Sequence, residues 1–124
     1  MPDSGGNGIM FRGVRGVALP VLDEARARHF YGEVLNLPVA VQAGSPIGFL
    51  LGETILMLKE DAPAPPSADP SPRVTLEVED ARGTEKELRR RKVVISDETD
   101  WYGVSYIGSF LDSEGNKLWF CSYA

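Results

Sequence analysis

The side chains of this sequence that could act on a small molecule suit binding better than catalysis. An indole provides a broad stacking surface with one hydrogen-bond donor, and a thioether provides adaptable apolar contact. An arginine and a glutamate can recognise a polar substituent of a ligand. The candidate ligand-binding residues are Met57, Arg73, Glu77, Trp101, Tyr102, Tyr106 and Trp119. We identify no catalytic residue.

The two residue types most often used for catalysis or metal binding each occur once. His29 lies in a predicted helix, where we expect it on the surface or half buried. Cys121 lies on the last predicted strand, where we expect a small buried side chain. A single cysteine excludes an internal disulfide and suits a reducing compartment, so the cytoplasm is the predicted location.

Composition narrows the class of protein and of partner. A chain of 124 residues fits one compact domain with a substantial core. The formal net charge of −5 argues against a nucleic-acid partner and mildly favours a neutral or cationic one. The apolar runs are far shorter than the roughly 20 residues that a membrane-spanning helix needs.

An internal repeat predicts how these residues are positioned. Val17-Ala-Leu-Pro-Val-Leu-Asp23 returns 57 positions later as Val74-Thr-Leu-Glu-Val-Glu-Asp80. Each copy alternates between two faces, as a strand does, and ends in an Asp that can cap a following helix. The sequence therefore predicts an α+β fold of two βαβββ modules.

The predicted elements follow from periodicity, caps and turn residues. The connector, residues 61–72, is rich in proline, which resists both helix and sheet. We expect a disordered arm at residues 1–10, then a single domain at 11–124, with module one at about 11–60 and module two at about 73–124. In module one the strands are Val14–Val21, Val39–Gln42, Ile47–Leu51 and Thr54–Lys59, with a helix at about 24–35. In module two they are Arg73–Val78, Val93–Ser96, Val104–Leu111 and Lys117–Ser122, with a helix at about 81–92.

Two short motifs within this repeat carry a family resemblance. The first helix contains Phe30-Tyr31-x-x-x-Leu35-x-Leu37, and the last hairpin turn contains Asp112-x-x-Gly115-Asn116. Together with the repeat, they resemble the glyoxalase, bleomycin-resistance and extradiol-dioxygenase superfamily, also called vicinal oxygen chelate proteins. The resemblance implies that the two modules form a curled mixed sheet with helices outside, that a cleft lies on the concave sheet face, and that the protein is a homodimer.

The resemblance also implies positions for metal ligands, one before each repeated run and one on the closing strand of each module. Those positions hold Gly16, Met57, Arg73 and Trp119. None of these side chains can bind a hard divalent ion. With this register the opposite face is wholly apolar, as a face covered by helices should be.

These observations favour a metal-independent protein that binds an aromatic or antibiotic-like compound and needs no cofactor. The alternative is a metal-dependent lyase, isomerase or dioxygenase of the same superfamily. Two structural alternatives stay open. Trp119 and Met57 could fill the cavity while Arg73 pairs with Glu77, and the predicted loop of Trp101 and Tyr102 could contact a partner subunit instead of a ligand.

Overall fold

The computed structural model describes residues 13–69, 73–103 and 105–123. The predicted arm at residues 1–10 lies outside the described residues. So do residues 70–72 of the connector and Val104, where a predicted strand begins.

Module one follows the predicted order of strand, helix and three strands. Asp23 caps the helix, since its side chain accepts a hydrogen bond from the Arg26 backbone N–H. The helix continues in π-helical form over Phe30–Val34, and Asn36 follows with a φ of 59°, the left-handed conformation that an asparagine can adopt at the end of a helix. The elements are β1 (Gly16–Pro20), α1 (Glu24–His29), β2 (Val39–Gln42), β3 (Ser45–Leu51) and β4 (Thr54–Lys59).

Module two repeats this order. Asp80 caps its helix as Asp23 does in module one, with its side chain accepting from the Gly83 N–H. The elements are β5 (Thr75–Glu77), α2 (Ala81–Arg90), β6 (Val94–Trp101), β7 (Tyr106–Leu111) and β8 (Lys117–Ser122).

Within the described residues, no helix is both long enough and apolar enough to cross a membrane.

Each module forms its own sheet, and the two sheets have equivalent strand orders. Among the described residues the orders are β1-β4-β3-β2 and β5-β8-β7-β6. The first strand of each module pairs in parallel with the last, and the other pairings are antiparallel. The α+β prediction of two βαβββ modules is confirmed, and the sheets do not close into a barrel.

The structure corrects the predicted bounds in module two. β6 runs on to Trp101, although the acidic segment after Ser96 was predicted to be a loop. Its pairing with β7 shifts register at two places, and these bulges let a polar, mostly exposed segment remain in the sheet. α2 ends at Arg90, two residues earlier than predicted, and Lys92 has a φ of 62°.

The two faces of each sheet differ as the alternation predicts. The apolar set that includes Leu19, Leu56, Leu118 and Phe120 lies in one core cluster with residues of both helical segments, such as Tyr31 and Leu88. This confirms the predicted register and shows that the core is shared by the modules. We call the opposite side of each sheet its open face.

A buried polar junction joins the modules at the turn between β7 and β8. The Glu114 side chain accepts hydrogen bonds from the Leu22 and Asp23 backbone N–H groups and pairs with the Arg26 guanidinium at 2.6 Å. The Asp112 carboxylate accepts a 2.7 Å hydrogen bond from the Tyr31 hydroxyl. Burial, followed by the Asp112 charge, raises the pKa of Tyr31.

Candidate ligand-binding site

The open face of the second sheet follows from strand register. Trp119 of β8 lies between Thr75 of β5 and Ser109 of β7, and Cys121 lies between Glu77 and Ile107. Paired residues point to the same side of a sheet. Because Leu118 and Phe120 face the core, these six side chains face away from it.

Trp119 is covered by cations on this face. The Arg73 guanidinium carbon lies 4.6 Å from the centroid of the indole, and Lys117 Nζ lies 4.7 Å from it. The side chain is only 8% exposed, yet it does not belong to the core cluster formed by the described residues. Two long charged side chains therefore shield the ring from solvent.

The Asp97 carboxylate holds the Lys117 ammonium group in place. Lys117 Nζ lies 2.6 Å from Asp97 Oδ2, and the Ser109 hydroxyl donates to the same oxygen at 2.6 Å. The bond from Lys117, followed by that from Ser109, lowers the pKa of Asp97. The Lys117 charge is thus neutralised locally, and its position over Trp119 is fixed.

A cleft of about 430 Å³ opens beside Trp119, and Arg73, Lys117 and Asp97 also line it. This volume is in the range of small-molecule sites. It brings together three of the predicted ligand-binding residues, namely Arg73, Tyr102 and Trp119. The lining residues are Arg73, Thr75, Asp97, Tyr102, Ile107, Lys117 and Trp119.

Glu77 lies beside this cleft. A wider cleft of about 570 Å³ runs along β5 and shares Arg73 and Thr75 with the first, and Glu77 is part of its lining. No ion pair joins Arg73 to Glu77 within the described part of the chain, so the alternative in which these two residues pair is not what the structure shows.

Met57 occupies the position in module one that is equivalent to that of Trp119 in module two. It is half buried on the open face of the first sheet, opposite Ala18 of β1. A Cβ placed on Gly16 would lie 2.9 Å from Met57 Cε, so Met57 covers Gly16. Neither residue is part of the lining around Trp119.

Trp101 and Tyr106 lie on the other face of the second sheet. Their rings contact each other with centroids 4.9 Å apart, and the Arg82 guanidinium carbon of α2 lies 4.8 Å from the Tyr106 centroid. Tyr106 also packs against the core cluster. The structure therefore separates these two residues from Trp119, while their neighbour Tyr102 lines the cleft.

The cleft also contains residues that were not among the candidates. Lys117 begins a predicted strand but was not chosen as a site residue, and the segment that contains Asp97 was predicted to be a loop. The signal that could have found both is charge complementarity between Asp97 of β6 and Lys117 of β8, two strands that flank β7, and it becomes visible only once the strand order is known.

The chain belongs to the Glyoxalase/Bleomycin resistance protein/Dioxygenase superfamily, whose family model matches residues 13–120. This confirms the resemblance noted from the sequence. Among proteins of curated function, none matches the sequence.

Solved structures with this fold have low sequence identity to the chain. TnmS3, an antibiotic binding protein from Streptomyces sp. CB03234, has a TM-score of 0.74 at 18% identity, with 94% of this chain and 99% of that chain covered. A putative glyoxalase family protein from Bacillus anthracis has a TM-score of 0.77 at 16% identity, with 94% and 98% covered. A lactoylglutathione lyase from Agrobacterium tumefaciens has a TM-score of 0.67 at 20% identity, with 89% and 92% covered.

The residues at the four positions where the resemblance places metal ligands do not fit a divalent ion. Gly16 has no side chain, Met57 offers only a soft thioether, and the permanent cation of Arg73 lies over the indole of Trp119. Across the described residues, no group of three or more His, Cys, Asp or Glu side chains is placed to hold a metal.

Proposed function

We propose that this protein binds a small aromatic compound without a metal and holds it against Trp119. One observation carries the proposal. At the positions where the resemblance puts metal ligands in module two, the chain has an indole beneath two cations, at the edge of a cleft of about 430 Å³.

Entry of the ligand follows from the unequal anchoring of the two cations. Lys117 is fixed by Asp97, whereas Arg73 is exposed and has no carboxylate within ion-pair distance among the described residues. An exposed cation–π contact contributes only about 0.5–1 kcal/mol, so displacing Arg73 costs little. A planar ligand then stacks on Trp119 from the Arg73 side, and the guanidinium covers the outer face of the ligand.

The proposed contacts are Arg73, Tyr102 and Trp119, with Glu77 beside them in the neighbouring cleft. Ile107 supplies an apolar wall, and the exposed ring of Tyr102 is part of the lining. The shared fold with TnmS3, an antibiotic binding protein, supports planar antibiotics as the first compounds to test. Ligand contact by Met57, Trp101 and Tyr106 stays a prediction.

The test is a titration of chelator-treated protein with a panel of planar aromatic antibiotics, followed by tryptophan fluorescence. We expect at least one compound to bind with an unchanged Kd after chelation. Failure of every compound would count against the proposal. Elemental analysis of protein purified without added metal addresses the enzyme alternative, because a stoichiometric divalent metal would overturn metal independence.

We also propose that the protein is a homodimer and acts in the cytoplasm. The single cysteine supports a reducing compartment, and the family resemblance supports the dimer. Light scattering coupled to size-exclusion chromatography tests the oligomeric state, and a mass of one chain of 13.5 kDa would contradict it.

A further inference from the structure

The residues that line the cleft around Trp119 carry a net charge opposite in sign to that of the whole chain. The chain carries a formal net charge of −5. The lining of the cleft contains two cations, Arg73 and Lys117, and one anion, Asp97. Asp97 is paired with Lys117, and Glu77 lies in the neighbouring cleft and forms no ion pair with Arg73 among the described residues, so Arg73 is the cation of the lining that has no ion-pair partner.

Arg73 also differs from most arginines of this protein in its partners. Five arginines on or beside the two helices form ion pairs with carboxylates: Arg26, Arg28, Arg89, Arg90 and Arg91. Within the part of the chain that the structure describes, Arg73 forms no ion pair: its guanidinium stacks on the Trp119 ring, and its charge acts on Asp97 without a direct ion pair.

A guanidinium stacked on a ring retains its hydrogen-bonding capacity. Stacking uses the flat face of the group, whereas its N–H donors point outward from its edge in a fork that matches a carboxylate. No hydrogen bond from the Arg73 guanidinium is formed to any described residue. The described residues therefore leave the edge of the group available to an acceptor that enters the cleft.

From this arrangement we infer that the ligand is a planar aromatic compound with an acidic group, such as an aromatic carboxylate. This inference rests on the proposed function and specifies its ligand class. The ring of the ligand stacks on Trp119 while its acidic group accepts hydrogen bonds from Arg73. It reverses the preference for neutral or cationic partners that the net charge suggests, because a cationic ligand would meet Arg73 and Lys117 while Asp97 is already paired.

The experiment compares three compounds of nearly equal shape by titration calorimetry: naphthoate, naphthamide and naphthylmethylammonium. A hydrogen bond to a charged group is stronger than a neutral one, so we expect naphthoate to bind about tenfold or more tightly than the other two. The difference should shrink as ionic strength rises.

Two arginine variants locate the effect. Arg73→Gln should remove the preference for naphthoate, and Arg73→Lys should retain part of it because a lysine keeps the charge but loses the planar fork. The matched control is Arg82→Gln. Arg82 also stacks on an aromatic ring, at 4.8 Å from Tyr106, but on the opposite face of the same sheet, so this variant should keep the full preference.

The outcomes separate this inference from the proposed function. Equal affinity for naphthoate and naphthamide, or an undiminished preference in Arg73→Gln, overturns the acidic ligand class while binding itself stands. Binding of a neutral antibiotic together with no binding of naphthoate would likewise overturn the acidic ligand class, while binding itself stands. If neither the antibiotic panel nor any naphthalene compound binds, the proposed function fails and this inference fails with it.

Discussion

The two modules are built on one pattern, but only their helix-facing sides match. Val17, Leu19 and Val21 recur as Val74, Leu76 and Val78, and all pack in or against the core or are buried. On the open face the equivalent pairs differ completely. Met57 covers Gly16 in the first module, whereas Arg73 lies over Trp119 in the second.

This difference indicates that the two faces have separate roles. Burial of alternating apolar residues stabilises both modules, so their helix-facing sides are held to one pattern. The open face does not contribute to the core and is free to vary, and only in module two does it carry an aromatic ring with charged neighbours. Substitutions on the two faces should therefore have different consequences.

The largest expected effect is on stability, from the helix-facing side. Phe120→Ala should lower the free energy of unfolding by about 3 to 5 kcal/mol, because it removes a large buried ring from the core. The side chain is 1% exposed and lies in the core cluster. Chemical denaturation measures the loss. Cys121→Ala, the next residue and on the open face, should cost under about 1 kcal/mol, and equal losses would break the distinction between the faces.

The next largest effect is also on stability. It comes from the junction between the modules, and it depends on pH. The Arg26 hydrogen bond lowers the pKa of Glu114 from 4.5 to about 2. A lowered pKa means that ionised Glu114 stabilises the fold above about pH 4.5 and that this contribution is lost as the pH falls toward 2. Glu114→Gln should therefore cost about 2 to 3 kcal/mol at neutral pH and flatten the acid dependence.

Glu87→Gln is the control for this prediction. The pKa of Glu87 is also lowered to about 2, through Arg90 and Arg91, but these pairs lie on the exposed surface of α2, where solvent screens them. Urea denaturation at pH 7 and pH 3 should show a much smaller change for this variant. An acid dependence in Glu114→Gln like that of the wild type would contradict the role given to the junction.

A smaller effect, on binding, should be confined to the second module. Trp119→Leu removes the stacking surface, and an aromatic contact contributes about 1 kcal/mol beyond buried area, so we expect affinity to fall about five- to tenfold. Met57→Leu, at the equivalent place in module one, should change affinity less than about twofold. A comparable loss from both variants would mean that the two open faces contribute to one site.

The smallest expected effect is the loss of stability on removing a helix cap, and it should be equal in the two modules. Asp23 and Asp80 cap their helices by accepting from the N–H three residues on. Asp23→Ala and Asp80→Ala should each cost about 1 kcal/mol in thermal or chemical unfolding. A difference between them much larger than that value would show that the repeat is not equivalent even where the backbone matches.

The fold could be predicted from the sequence because its signals are local. Alternation in the repeated run fixed which face is buried, and Asp23, Asp80 and Asn36 have the capping or turn conformations that their side chains favour. The register of β8 followed from Leu118 and Phe120, which are both buried in the core.

The site was harder to predict because it depends on pairing between strands. β6 is polar and bulged, so neither its extension to Trp101 nor the pairing of Asp97 with Lys117 has a local pattern. The segment before Phe110 does not alternate clearly between apolar and polar residues. The helix-facing position of Tyr106 was therefore set by its register with β8 and could not be read from periodicity.

The most direct test of metal-independent binding at Trp119 uses the two tryptophans of the chain, which lie on opposite faces of one sheet. Trp101→Phe leaves Trp119 as the only indole reporter, and Trp119→Leu leaves Trp101. Titration with the tightest ligand of the panel, in the presence of a chelator, should quench the emission of the Trp101→Phe variant at wild-type affinity. Wild-type affinity in Trp119→Leu, measured by titration calorimetry, would contradict the account.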